Sequence, residues 1–362
     1  MRTVPLRRLL YGPQPDSSRI FFHNIWFRGH TNPRYAELLP RLERLDAYLI
    51  TCSSRRLLRH AQMRALSAIQ GLRGDCVVNL AGRRYQSMLY TGNFHQALPR
   101  FHGRVLVDFD DPRFDDEEVE LLNSSNVHAY VVTAEWAARR FAGLGVVKPH
   151  VVIPHGVSLR SLSEAKTRTV ADRYRTPEMF VVGYMASSML SQGDPGAHNP
   201  MYNVDHLLEL WDEIHPRVPN AKLWLLGDAS TRVRGRCSAR EDIVLFGRLP
   251  KDEVLSYVSN FDLALYPRTL DQGVQAAKVA EYMGAGVPTV SYDFQVTEIL
   301  RESGAGVLVQ TPRDFVAMVE HLASAESELK VLGDAARLAG QALDWDTLAA
   351  RYQREILNVY LS

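Results

Sequence analysis

A chain of 362 residues, 46% hydrophobic and 23% charged, is longer than one hydrophobic core usually fills, which predicts two globular domains. A formal net charge of +1 offers no broad positive field for nucleic acid. Cys52, Cys76 and Cys237 lie too far apart for a disulfide framework or a zinc site, which suits a reducing, cytoplasmic compartment. The N-terminus lacks a signal-like apolar stretch, and no segment reaches the roughly 20 apolar residues of a transmembrane helix.

Through the first half, short apolar runs alternate with helical patterns, which predicts parallel α/β layers. Residues 20–27 read as the first strand, with 29–32 as its loop and Pro33 in the first turn of a helix that Thr31 or Asn32 can cap. Further strands are expected at 45–51, 75–80, 105–107 and 127–132, with helices over 54–70 and 135–141. The 105–107 strand runs into Asp108-Phe109-Asp110-Asp111, where Asp110 suits either a loop or capping acid or a group facing a ligand. Residues 151–157 read as an apolar run with a turn at Gly156, where His155 is expected to be structural. The polar stretch 159–176 reads as a connection. These signals predict a first domain over 1–158, a linker over 159–178, a second domain over 179–343 and a terminal helix over 344–362.

The second domain opens with a strand at 180–185 and a long loop over 187–203 rich in Gly and Pro. An amphipathic helix over 204–214 and strands at 221–226, 243–249 and 262–266 follow. Trp345, Leu348, Ala349, Tyr352, Ile356, Val359 and Tyr360 share one helical stripe behind Asp344.

Between Leu270 and Tyr292 the pattern is loop, short helix over 276–283, paired glycines at 284 and 286, then a strand over 287–292. Ligands of such units sit beyond the carboxyl end of the strand, where the helix N-terminus favours phosphate. Lys278 and Glu281, three apart, share one side of the helix. They suit either an ordinary surface pair or a nucleoside diphosphate, with the lysine on phosphate and the carboxylate on two ribose hydroxyls.

The run Lys278-Val279-Ala280-Glu281-Tyr282-Met283-Gly284-Ala285-Gly286-Val287-Pro288 resembles the donor-site segment of retaining GT-B glycosyltransferases of family 4 (group 1). The resemblance implies an α/β, GT-B architecture: two Rossmann-like domains facing each other across a cleft, with the last helix returning to the first domain. It implies that Glu281 holds the donor ribose and that Thr297-Glu298-Ile299-Leu300 is a second recurring element. It places Gly183, Gln272, Gly273 and Val274 on the donor side, the base beside Arg248 and Leu249, and His30 and Asn32 towards the sugar or acceptor. Asp110 falls near a family histidine that contacts the donor sugar. Two departures are visible. The family's glutamate eight residues before the ribose glutamate is Gly273 here, with Asp271 the nearest carboxylate. The usual Arg/Lys pair near the 187–203 loop is missing, leaving Lys278, Arg248 or the helix N-terminus to balance the diphosphate.

The expected function is retaining transfer of a hexosyl group from a nucleoside-diphosphate sugar to an acceptor hydroxyl, with Asp110, Asp271 and Lys278 as catalytic candidates. No cofactor and no metal are expected, although Asp108-Phe109-Asp110 matches the metal-holding Asp-X-Asp of the other large glycosyltransferase fold. The alternatives are an epimerase or hydrolase of the same architecture, and a silent nucleotide-sugar or glycan binder favoured by the two departures.

Overall fold

The structure, a computed structural model, describes residues 19–24, 33–42, 46–50, 76–80, 105–110, 112–125, 127–197, 203–269 and 277–357. The chain forms two units, one of residues 1–155, 273–275 and 345–362, the other of residues 156–272 and 276–344.

In the first unit the described elements are β1 (Arg19–Asn24), α1 (Pro33–Leu38), β2 (Asp46–Ile50), β3 (Cys76–Leu80), β4 (Val105–Phe109), α2 (Asp116–Asn123), β5 (Val127–Val132), α3 (Glu135–Gly143) and β6 (His150–Val152). The strands pair in parallel in the order β2-β1-β3-β4-β5-β6. A parallel sheet covered on both faces needs apolar residues at successive positions, and Leu106, Val107 and Phe109 of β4 are fully buried. Asp108 lies among them, also fully buried. Its carboxylate meets Arg34 Nε of α1 at 3.5 Å and accepts a hydrogen bond from Tyr352 Oη at 3.1 Å. Tyr352 ends the C-terminal helix Trp345–Tyr352, whose Trp345, Leu348, Ala349 and Tyr352 are buried, as their stripe predicts. Val359 and Tyr360 lie outside the described residues, as does the helix expected over 54–70.

The second unit contains α4 (Glu164–Tyr174), β7 (Phe180–Met189), α5 (Asp205–Ile214), β8 (Ala221–Ala229), α6 (Thr231–Cys237), β9 (Ile243–Gly247), α7 (Val254–Val258), β10 (Leu263–Tyr266), α8 (Ala277–Gly284), β11 (Thr289–Tyr292), α9 (Glu298–Ser303), β12 (Gly306–Val309), α10 (Pro312–Ser324) and α11 (Glu326–Ala342). Its strands are parallel in the order β9-β8-β7-β10-β11-β12. Counted from β7, this is the doubly wound order 3-2-1-4-5-6, with its switch point between β7 and β10. Helix α8 packs closely on α11 through glycine: a Cβ on Gly340 would lie 2.5 Å from the Met283 carbonyl oxygen and 2.6 Å from Gly284 Cα.

Two boundaries differ from the sequence expectation. The 159–178 stretch, expected as a linker, belongs to the second unit: α4 is capped by Ser163, and Val170 is buried in a cluster with Val181, Trp224 and Tyr282. Its polar composition is that of a helix exposed on most of its surface. Asp344, expected with the terminal helix, falls in the second unit, where its carboxylate accepts the Leu159 N–H at 3.0 Å. The loop expected from 187 starts later, because β7 continues to Met189, which pairs with Ala229 after a register shift. Among the described residues no helix is long and apolar enough to cross a membrane.

Candidate functional site

Open α/β sheets bind ligands beyond the carboxyl ends of their strands at the point where strand order reverses, because the two flanking connections leave on opposite faces and open a crevice. In the second unit that rule selects the ends of β7 and β10 and the start of α8. Tyr184 on β7, Tyr266 at the end of β10, Pro267, Arg268 and Lys278 on α8 line one recess there, closed on another side by Asn203 and Leu207. Its volume is about 30 Å³, room for one or two water molecules or the oxygens of one phosphate edge.

Lys278 points into this recess. Its Nζ donates a hydrogen bond to Tyr184 Oη at 3.1 Å and lies 4.3 Å from the Tyr184 ring centre and 5.5 Å from that of Tyr266. Burial disfavours the ammonium and lowers the Lys278 pKa to about 8. The charge of nearby Arg268 lowers it further, while Tyr266 and Glu281 oppose the shift. Arg268 is buried, and its guanidinium folds back to donate to Tyr266 Oη at 2.9 Å while its backbone N–H donates to the Tyr266 carbonyl at 2.8 Å. Ser291 Oγ of β11 donates to the same carbonyl at 2.7 Å, fixing the end of β10 from the other side. Two cations held among tyrosines suit an anionic oxygen, since each ordered ammonium or guanidinium gives a charge-assisted hydrogen bond to phosphate.

Glu281 lies one turn along α8 on the same side, in accord with the i, i+3 expectation. Its carboxylate has neither a hydrogen bond nor an ion pair with any described residue. Removal from solvent raises its pKa to about 7, against the more distant pull of Lys251 and Lys278. Glu281 is half-buried, and a carboxylate partly withdrawn from water is stabilised by a ligand that supplies donors. Tyr282, the next residue, accepts the Met185 N–H at 2.9 Å and anchors α8 onto β7.

Other expected site residues separate into three groups. Gly183 is corrected: it sits in mid-strand beneath Phe261, and a Cβ there would lie 1.9 Å from that ring, so close packing in the core explains the glycine. Arg248 is exposed just past Gly247, which turns the chain with φ of 70°, and Leu249 is half-buried against the aromatic cluster of Trp224, Phe246 and Tyr257. Asp110 lies in the first unit at the carboxyl end of β4. The capping acid of α2 is Asp115, whereas Asp110 Oδ1 stands 3.5 Å from His155 Nε2, so His155 meets a carboxylate that the sequence did not pair with it. His30, Asn32, Asp271, Gln272, Gly273 and Val274 lie outside the described residues. The sequence reading missed Arg268, Tyr184 and Tyr266. With the usual pair missing near the 187–203 loop, the sequence offers Lys278, Arg248 or the helix N-terminus for the diphosphate, whereas Pro267-Arg268 directly after β10 was the available signal.

Residues 195–325 match the family model described as "Glycosyl transferases group 1". No curated protein matches the sequence. Among solved structures, HepE of Anabaena in complex with UDP superposes with a TM-score of 0.70 at 13% identity, covering 94% of this chain and 100% of that one. Sucrose-phosphate synthase from Thermosynechococcus elongatus gives 0.71 at 12% identity, covering 95% and 100%. WaaG, "a glycosyltransferase involved in lipopolysaccharide biosynthesis", gives 0.58 at 11% identity, covering 92% and 98%. At these identities the likeness establishes the fold, α/β with parallel sheets and matching GT-B glycosyltransferase structures.

Proposed function

We propose that the protein is a retaining glycosyltransferase of the family 4 type that moves a hexosyl group from a nucleoside-diphosphate sugar to an acceptor hydroxyl, without a metal. The observation that carries this reading is that Lys278 and Arg268 line one recess at the switch point, with Glu281, unpartnered among the described residues, one turn along the same helix, all within the segment matching the glycosyltransferase group 1 description. Phosphate oxygens fit between the two cations and ribose hydroxyls fit the carboxylate. HepE of Anabaena, which shares the fold, is described in complex with UDP-glucose. In the reaction the acceptor oxygen replaces the diphosphate oxygen at the anomeric carbon, releasing the nucleoside diphosphate and a proton. Lys278 and Arg268 stabilise charge growing on that leaving group. Acceptor selection is assigned to the first unit, where Asp110 is the described candidate and His30 and Asn32 remain candidates from the sequence.

The silent-binder alternative drew on a missing basic pair, and Arg268 supplies a second cation beside Lys278. Incubation with a panel of nucleoside-diphosphate sugars and hydroxyl acceptors tests the proposal. The expected outcome is acceptor-dependent release of nucleoside diphosphate. Isomerised donor would indicate an epimerase, and donor binding without turnover a binding protein.

A further inference from the structure

At the amino ends of β10 and β11, the opposite edge of the second sheet from Lys278, α4 and α11 frame a second recess of about 400 Å³. That is within the range of small-molecule sites. Arg168 and Thr167 of α4 reach it from one side, Arg337 of α11 from another, and Ser259 and Ala285 form its floor with Ala171.

Three observations give this recess a chemistry. Arg168 and Arg337 have no hydrogen bond or ion pair with any described residue, and Asp334 on α11 meets Arg337 only through a weaker, more distant attraction. Elsewhere in the same unit Arg175 pairs with Asp262 at 2.9 Å, Arg217 with Glu320 at 3.5 Å, Arg232 with Asp194 at 3.3 Å and Arg301 with Asp293 at 2.8 Å, whereas Arg248 and Arg313 are exposed and, like Arg168 and Arg337, have no such partner among the described residues. Second, Thr167 Oγ1 is buried without a hydrogen-bond partner, although its residue's carbonyl accepts from Asn260 Nδ2. With no exposed surface of its own, that hydroxyl meets an occupant of the recess only through a rotation about χ1, which would give it the partner it lacks. Third, the Arg337 guanidinium lies over Gly286, where a Cβ would come within 2.8 Å of Nη2. The backbone thus makes room for this side chain. Ser259 Oγ donates to the Leu255 carbonyl and keeps an oxygen able to accept, as does the Glu164 carboxylate at the rim.

We propose that this recess binds a compact, hydroxyl-bearing oxyanion of the phosphate-ester class. The two guanidinium groups take the anionic oxygens, Thr167 joining them by rotating about χ1, and Ser259 and Glu164 accept from its hydroxyls. The site is separate from the Lys278 recess and does not depend on the activity proposed above. Helix α8 spans from one to the other, with Lys278 near its start and Ala285 just past its end.

The test is calorimetric titration of the full chain with inorganic phosphate and with glycerol phosphate, at constant ionic strength, in a Lys278→Ala background that disables the other anion site. Saturable binding is expected, tighter for glycerol phosphate. It should weaken at least tenfold both in Arg168→Ser/Arg337→Ser, which removes the charges, and in Ala171→Phe, which fills the recess and keeps them. Absence of saturable binding overturns the proposal. Undiminished binding in the arginine double variant overturns it too, and undiminished binding in Ala171→Phe would mean surface charge rather than a built site. Both arginines are exposed, so the double variant should fold as the parent does.

Discussion

Lys278 and Glu281 have pKa values pushed towards each other, to about 8 and about 7, and both must be ionised to hold a nucleoside diphosphate. Affinity for the diphosphate should therefore rise as pH climbs through about 7, because Glu281 loses its proton, and fall above about 8, because Lys278 loses its own. Binding titrations of the free protein across pH 5–10 should give this bell, and Glu281→Gln should abolish its acid limb while weakening binding at the optimum. A profile unchanged in Glu281→Gln would remove that carboxylate from the site. The same shifts act on stability with opposite signs in pH. Glu281, with a raised pKa, contributes stability that is full below about 4.5 and lost as pH rises through about 7. Lys278, with a lowered pKa, carries a penalty below about 8 that is relieved as pH rises towards 10.5. Near pH 7.5 both oppose folding without ligand, so Lys278→Met/Glu281→Gln should melt higher than the parent while losing donor binding. Arg268→Ala is expected to weaken diphosphate binding by about 1.5–3 kcal/mol, the range for a hydrogen bond to a charged group. Equal affinity in parent and variant would return Arg268 to a structural role on Tyr266.

Asp108 belongs at the same scale. Its carboxylate is committed inside β4 to Arg34 and Tyr352, so Asp108→Ala should destabilise the first unit by about 3–5 kcal/mol, as expected when one partner of a buried ion pair is removed. Transfer activity of the parent is expected to persist in excess chelator. Loss with chelator and recovery with magnesium or manganese would revive the Asp-X-Asp reading. Sequence alone could place Lys278 and Glu281 together, because helical spacing fixes which residues share a side. It could not distinguish a ligand glycine from a packing glycine at Gly183, since the deciding contact, Phe261, comes from a distant segment. Arg268 escaped for a related reason: its role depends on β10 lying beside β7, which spacing along the chain does not reveal.

Among elements, α8 carries Lys278 and Glu281 of the candidate site, and its position rests on glycine contacts with α11. Gly340→Ala would drive a Cβ into the Met283 carbonyl, so the helices must separate, at a cost of about 1–3 kcal/mol. Donor affinity should fall with it, because Lys278 and Glu281 ride on α8. Gly235 in α6 meets nothing within 4 Å, and Gly235→Ala should instead stabilise by about 0.5–1 kcal/mol through helix propensity. Denaturant unfolding of both variants beside a donor titration checks the contrast. Similar effects from the two substitutions would contradict the close-packing account. Strands with near-continuous apolar runs, such as β5 and β10, were legible within a residue or so. Helix α4 was not: only Val170 is buried along it, so its composition resembles a connection.

At the scale of the whole molecule, alternation of strands and helices made two α/β units legible, with the break near 158 where the structure divides after His155. The neighbour order of the strands was not, because a parallel crossover leaves no local mark of which side of the sheet it takes. That order places the switch point, and the switch point unites Tyr184, Tyr266, Arg268 and Lys278 from segments up to 94 residues apart. The central claim is that this point in the second unit holds the diphosphate of a nucleotide. Its most direct test is calorimetric titration of a panel of nucleoside diphosphates into the parent and into Arg268→Ala/Lys278→Ala, with melting temperature as a check on folding. The account predicts saturable binding of at least one nucleotide by the parent and its loss in the folded double variant. Undiminished binding by that variant, or no binding of any nucleotide by the parent, would contradict it.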